Sequence, residues 1–195
     1  MTQWGAPPSD AVYEKLTAAY SESHRHYHTG SHIADCLSQF DEVADLAHHP
    51  EEVELAIWFH DAIYKPTSST NEHDSAQWAV NFLKSFGSST DQCERIYNYI
   101  MATKHSGDAL SGDSALVVDI DVSILGRDPK EYDIYEAAIR KEYRWVPGLI
   151  YRRKRIEILQ SFLNREALYE TEHFRSEYEE QARLNLQRAI SSLSK

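Results

Sequence analysis

A chain of 195 residues is long enough to bury one sizeable core, and its length favours a single domain spanning 1–195. A formal charge of -11 argues against an extended nucleic-acid surface, which needs cations clustered on one face. Cys36 and Cys93 are too few for a disulfide framework and form no CxxC pair, so both are expected as buried or half-buried thiols.

The opening stretch from Met1 to Pro8 lacks a basic region followed by an apolar one, and no apolar run is long enough to cross a membrane. A cytoplasmic protein without a membrane partner is expected. Ser9 or Asp10 can cap a first helix reaching about Tyr20. A second helix is expected from about Ser31 to His48, with Ile33, Leu37, Phe40 and Leu46 on its apolar side. Pro50 opens a third, whose acidic first turn and apolar remainder run from Glu51 to Ile63 before Pro66.

Asn71 or Ser69 starts a helix carrying Ala76, Ala79, Val80 and Leu83, which stops before Gly87. Thr90 or Asp91 caps the next, expected to reach about His105 and to be followed by a loop of Gly107, Asp108, Gly112 and Asp113. The run Ala115-Leu116-Val117-Val118 is too short for its period to separate strand from helix. Pro129, Pro147 and Gly148 divide the remainder into helices near 130–145, 149–164 and 167–193. No repeat or strand-turn-strand signal interrupts an all-α reading.

One basic run stands out in this acidic chain. Arg140, Lys141 and Arg144 precede Arg152, Arg153, Lys154 and Arg155, a stretch able to meet a phosphate-bearing substrate or partner. Its alternation with Ile156, Leu159 and Phe162 at helical spacing favours a solvated helix face.

The residues that carry chemistry are histidines and aspartates. His32 lies in Tyr27-His28-Thr29-Gly30-Ser31-His32-Ile33, the pair His60-Asp61 ends the apolar segment Leu55-Ala56-Ile57-Trp58-Phe59, and Asp119 and Asp121 lie in Val117-Val118-Asp119-Ile120-Asp121-Val122. Imidazole plus carboxylate without cysteine is a donor set for Zn, Mn or Fe and points away from a structural zinc site. On a helix, Asp119 and Asp121 point about 200° apart, so only one faces a given centre. His24 and His26 read as an exposed histidine-rich lead-in; one continuous helix would put His24, His28 and His32 on one face, and Gly30 makes a helix start near Ser31 at least an equal alternative.

The order His, His-Asp, Asp resembles the HD superfamily of metal-dependent phosphohydrolases. His24-Arg25-His26-Tyr27-His28, Trp58 to Tyr64, Asn71-Glu72, Asp121 to Gly126 and Glu180 to Leu186 resemble a little-characterised bacterial family of predicted hydrolases within it. The resemblance implies a compact all-α domain with its metal-site core at about 20–126 and C-terminal helices at about 130–193, and it makes 115–118 helical. It also implies that His32, His60, Asp61 and Asp121 hold one divalent metal, with Asp61 able to bridge a second. Asp121 is preferred over Asp119 because Ile120-Asp121-Val122-Ser123 fits the segment found in cyclic nucleotide phosphodiesterases of this superfamily. Their Tyr-His-Asn-x-x-His segment makes His28 the proton donor to the leaving oxygen, with Thr29 departing from the Asn.

The implied reaction is hydrolysis of a phosphomonoester or phosphodiester, a nucleotide being one candidate, with Mn or Mg for turnover and Fe or Zn compatible with the ligands. Glu72 or His105 would orient the attacking water or complete a second metal position, and Arg25 would contact a phosphate. A di-iron oxygenase and a non-catalytic nucleotide or metal sensor are the alternatives.

Overall fold

The computed structural model describes residues 10–105 and 110–195, and the regular secondary structure of these residues is all helical, without a strand. The expected cap at Ser9 and the loop positions Gly107 and Asp108 lie outside them. The helices are α1 (Asp10–Ala19), α2 (Gly30–Val43), α3 (Pro50–Phe59), α4 (Asn71–Ser85), α5 (Thr90–Ala102), α6 (Gly112–Asp121), α7 (Pro129–Glu142), α8 (Gly148–Leu163) and α9 (Glu172–Leu193). None is long and apolar enough to cross a membrane. The chain divides into two compact units, Met1–Asp121 and Val122–Lys195, where the sequence suggests one domain whose site-bearing part runs to about residue 126.

In the first unit α5 packs against α3, α4 and α6, and α3 also meets α2, α4 and α6. Two of these helices are surrounded. In α3, Val53, Leu55, Ala56, Ile57 and Phe59 are buried, and in α6 every residue from Ala115 to Ile120 is buried. A helix apolar on all sides has no solvent face and must sit inside. Each such Leu, Ile or Phe contributes about 1.5–3 kcal/mol by leaving water. The ambiguity of 115–118 has the same origin, since a helix buried all round shows no helical period.

Several boundaries differ from the sequence reading for local reasons. The second helix stops at Val43 and tightens into a 3₁₀ turn over Ala44–Leu46, which leaves Leu46 half exposed. The cap of α5 is Ser89, not Thr90 or Asp91: its hydroxyl accepts from the Gln92 amide while the Gln92 side chain returns to the Ser89 amide, a reciprocal pair that satisfies two helix-end donors. Gly112 and Asp113 open α6 and are not loop residues. The Asp113 carboxylate accepts from the amides of His48 (2.8 Å) and His49 (2.9 Å), tying α6 to the entry of α3.

In the second unit α9 packs on α8 and on the 3₁₀ segment Val122–Gly126. The motif Glu180 to Leu186 supplies the contacts. The buried Asn185 amide donates to the carbonyls of Leu125 (2.9 Å) and Arg127 (2.8 Å), and Arg183 donates to the carbonyls of Leu163, Arg165 and Glu166. Gly126 is held so closely that a Cβ there would lie 2.5 Å from Tyr178 Cβ. Arg155 departs from the solvated-face reading: it is buried, pairing with Glu136 at 2.7 Å and with the Tyr135 hydroxyl at 2.8 Å.

Candidate metal centre

The buried helices α3 and α6 and the first turn of α2 converge at one point of the first unit. The helical ladder of α3 ends as the His60 amide bonds to Ala56, and Ala62 then bonds back to Phe59 in a tight turn. The helix thus stops short of the expected Ile63. Neighbours on a regular helix point about 100° apart, and leaving the helix at this place lets His60 and Asp61 face the same centre. His32 follows Gly30 and Ser31 at the start of α2, which begins only at Gly30, so His24 and His28 do not share a helical face with it. Asp121 is the last residue of α6.

The four side chains meet edge to edge. His32 Nε2 lies 3.2 Å from His60 Nε2, 3.2 Å from Asp121 Oδ1 and 3.8 Å from Asp61 Oδ2. His60 Nε2 lies 3.3 Å from Asp61 Oδ2 and 3.4 Å from Asp121 Oδ1. Donors bound about 2.1 Å from one ion sit roughly 3.0–3.4 Å apart when adjacent in octahedral or tetrahedral geometry, so the spacing suits a shared cation. His60 Nδ1 lies 2.8 Å from the Ile57 carbonyl, so it carries the proton and leaves the Nε2 lone pair facing the cluster. The carboxyl ends of α3 and α6 add their partial negative charge to that of the aspartates. His32, His60 and Asp61 therefore form a group that could hold a metal ion, as do His32, Cys36 and Asp121.

Cys36 is the participant the sequence reading missed. Its Sγ lies 3.7 Å from His32 Nδ1 and 3.8 Å from Nε2. The signal was the four-residue step from His32 along α2, which stacks side chains on one face. His105, at the end of the turn after α5, has φ +54, and its Nε2 lies 3.3 Å from Asp121 Oδ2. Asp121 thus presents one oxygen to His32 and His60 and the other to His105. Asp119 is fully buried, and two residues of helical rotation set it about 200° from Asp121 on α6. Glu72 stands half-buried in the first turn of α4 and, among the described residues, makes no hydrogen bond or ion pair to the cluster. Its neighbour Asn71 braces the loop after Asp61 by exchanging two hydrogen bonds with the Lys65 backbone, each 3.0 Å.

Around this group the segment before α2 forms an aromatic wall. The His28 ring stacks on Tyr64 at 4.1 Å between centroids and meets the His32 ring edge-on at 6.1 Å. His24 Nε2 lies 2.8 Å from the Tyr64 carbonyl, and its ring is parallel to the Tyr64 ring; His26 is exposed.

Arg25 corrects the expectation of a phosphate contact. Its side chain is fully buried and donates to Glu22 (3.0 Å) and to the carbonyls of His28 (3.1 Å), Asp61 (2.8 Å) and Ala62 (3.1 Å). With the rings of Tyr20 and Tyr64 on the guanidinium at 5.3 and 5.5 Å, no face remains for an incoming phosphate. Arg25 instead fixes the backbone of two residues of the centre.

Replacing one aspartate at a time separates the two. Asp121→Asn keeps the shape but removes a carboxylate charge from the cluster, and metal content per chain should fall sharply. Asp119→Asn should retain metal and lower the unfolding temperature, because it perturbs a buried polar group away from the cluster. A silent Asp121→Asn beside a metal-free Asp119→Asn would reverse the assignment.

The charges are coupled to pH. Burial by itself would lower the pKa of His60, but the facing carboxylates of Asp61 and Asp121 outweigh it and hold the imidazole well above its usual range. Burial would raise both aspartates, yet the imidazoles hold them low: His60 and His28 act on Asp61, and His105, His32 and His60 on Asp121. In the metal-free chain, the His60 contribution to stability is complete below the unfolded value of about 6.5 and is lost as pH rises through the higher folded value. The aspartate contributions are present above about 4 and lost as pH falls through their lowered folded values. Metal binding runs against the first trend because it needs neutral imidazole. The rise in Tm on adding Mn should therefore be larger at pH 8.5 than at pH 5.5, and thermal melts with and without the ion measure it.

No protein-family model, curated protein sequence or solved structure matches the chain. The functional reading rests on the side chains themselves.

Proposed function

We propose that the protein is a metal-dependent phosphoester hydrolase of the HD type. The observation that carries this reading is the convergence of His32, His60, Asp61 and Asp121, with five of their donor-donor separations between 3.2 and 3.8 Å. His28 stands beside this group, its ring stacked on Tyr64 and edge-on to His32. Two imidazoles beside two carboxylates suit Mn, Fe or Zn better than Mg, which prefers oxygen donors.

When bound, a divalent ion supplies a Lewis acid for a phosphoryl oxygen and makes water nucleophilic near neutral pH. His32, His60, Asp61 and Asp121 would hold it. Asp61 and Asp121 are partly open to solvent, each side chain 17% exposed, so the substrate phosphate approaches from their side. His28 gives a proton to the leaving oxygen, because imidazole titrates near the working pH and an alkoxide is a poor leaving group unprotonated. Arg25 and Tyr64 hold His28 at its place, one by its carbonyl and the other by its ring.

The test is turnover by the metal-loaded chain. With Mn, Fe, Zn or Mg supplied in turn, a panel of alkyl and aryl phosphomonoesters, phosphodiesters and nucleotides should give at least one metal-dependent phosphate or monoester product. Dioxygen consumption by an iron-loaded chain without such product would move the reading to an oxygenase, and ligand binding without product to a sensor.

A further inference from the structure

The corner between α7 and α8 carries a surface that the metal centre does not explain. In a chain of net charge -11, Lys141, Arg144, Arg152, Arg153 and Lys154 are all exposed, while the one acidic residue within 141–154, Glu142, is buried. Arg153 and Lys154 share Glu157. Lys141, Arg144 and Arg152 have no carboxylate partner among the described residues. Between these cations stand Trp145 in the turn and Leu149 and Ile150 in the first turn of α8, their exposures 60%, 75% and 54%. A single exposed leucine needs no explanation, but three large exposed apolar side chains within six residues, flanked in sequence by exposed cations, form a candidate interaction surface.

We propose that this corner docks on an anionic lipid surface, with Trp145, Leu149 and Ile150 entering the interface and the cations meeting lipid phosphates. Stable attachment takes two signals, an apolar insertion and a basic patch, and both are present within 141–154. Tryptophan prefers the boundary between acyl chains and headgroups, where its ring is buried and its N–H stays wet. The net charge of the chain does not oppose this, because charges beyond about 8 Å from the surface are screened at physiological salt. A nucleic-acid backbone would use the cations but has no place for Leu149 and Ile150. A protein partner would need a cavity shaped to side chains that stand this far out, whereas a bilayer deforms around them. With no described helix able to cross a membrane, the attachment is peripheral.

Co-sedimentation of the full chain with vesicles decides the matter, independently of any turnover at the metal centre. Binding is expected to phosphatidylcholine vesicles containing phosphatidylglycerol, with little to phosphatidylcholine alone and a loss as salt is raised. The pair Arg144→Glu with Arg152→Glu, and separately Trp145→Ala with Leu149→Ala, should each weaken it by at least about tenfold, while circular dichroism and metal content stay as in the parent chain. No sedimentation of the parent with anionic vesicles would overturn the proposal, as would undiminished binding by both double variants. Concentration-dependent self-association abolished by Trp145→Ala with Leu149→Ala, without vesicle binding, would assign the corner to a second copy of the chain.

Discussion

His60→Ala and Asp61→Ala each leave the chain without bound metal while its helical content persists. The expectation follows from how little of the fold these side chains carry beyond the cluster: among the described residues the His60 side chain hydrogen-bonds only the Ile57 carbonyl outside it, and the helix before it is held by Val53, Ala56 and Phe59. Loss of a partner that merely orients a ligand costs roughly 10–100-fold in metal affinity, and loss of a ligand itself should cost more. Metal per chain after gel filtration, read beside the far-ultraviolet spectrum, is the measurement. Full occupancy in both variants would sink the centre as assigned. Unfolding of Asp61→Ala alone would shift attention to its backbone, which Arg25 grips, and Asp61→Asn then repeats the test with that backbone undisturbed.

The second large effect belongs to His28. His28→Ala should keep its metal and lose about 10²–10⁴-fold in kcat on an alkyl phosphoester, the usual share of general-acid catalysis. An aryl phosphate should suffer much less, since a phenolate of low pKa leaves without help. The ratio of the two losses, at saturating metal, is the decisive number. Equal losses on both substrates would remove the proton-donor role, and a loss of metal would place His28 among the ligands.

Much of the helical layout was legible because most elements announce themselves by a proline, a glycine or an apolar stripe: Pro50, Pro129 and Gly148 stand at the first positions of α3, α7 and α8. The residues of the centre were legible by type and order, and the structure brings His32, His60, Asp61 and Asp121 together over distances in sequence that no period could encode. What stayed hidden is of two kinds. Local competition between caps, as at Ser89 over Thr90, turns on a side-chain geometry that composition does not determine. Long-range backbone contacts are hidden more deeply. Arg25 reaches carbonyls thirty-six and thirty-seven residues away, and nothing in His24-Arg25-His26 says that the guanidinium faces inward to a carbonyl and not outward to an anion.

That inward guanidinium has a bearing on motion. Because Arg25 holds the carbonyls of Asp61 and Ala62 at once, the segment before α2 cannot swing out while the stretch after α3 stays in place; two hydrogen bonds from a desolvated cation would have to break together. Opening here is then one cooperative event, rarer than the fraying of an ordinary surface loop, and amides on both sides of the clamp should exchange with solvent through that shared opening. His28 and Asp61, carried on different segments, therefore keep their mutual distance through thermal fluctuation.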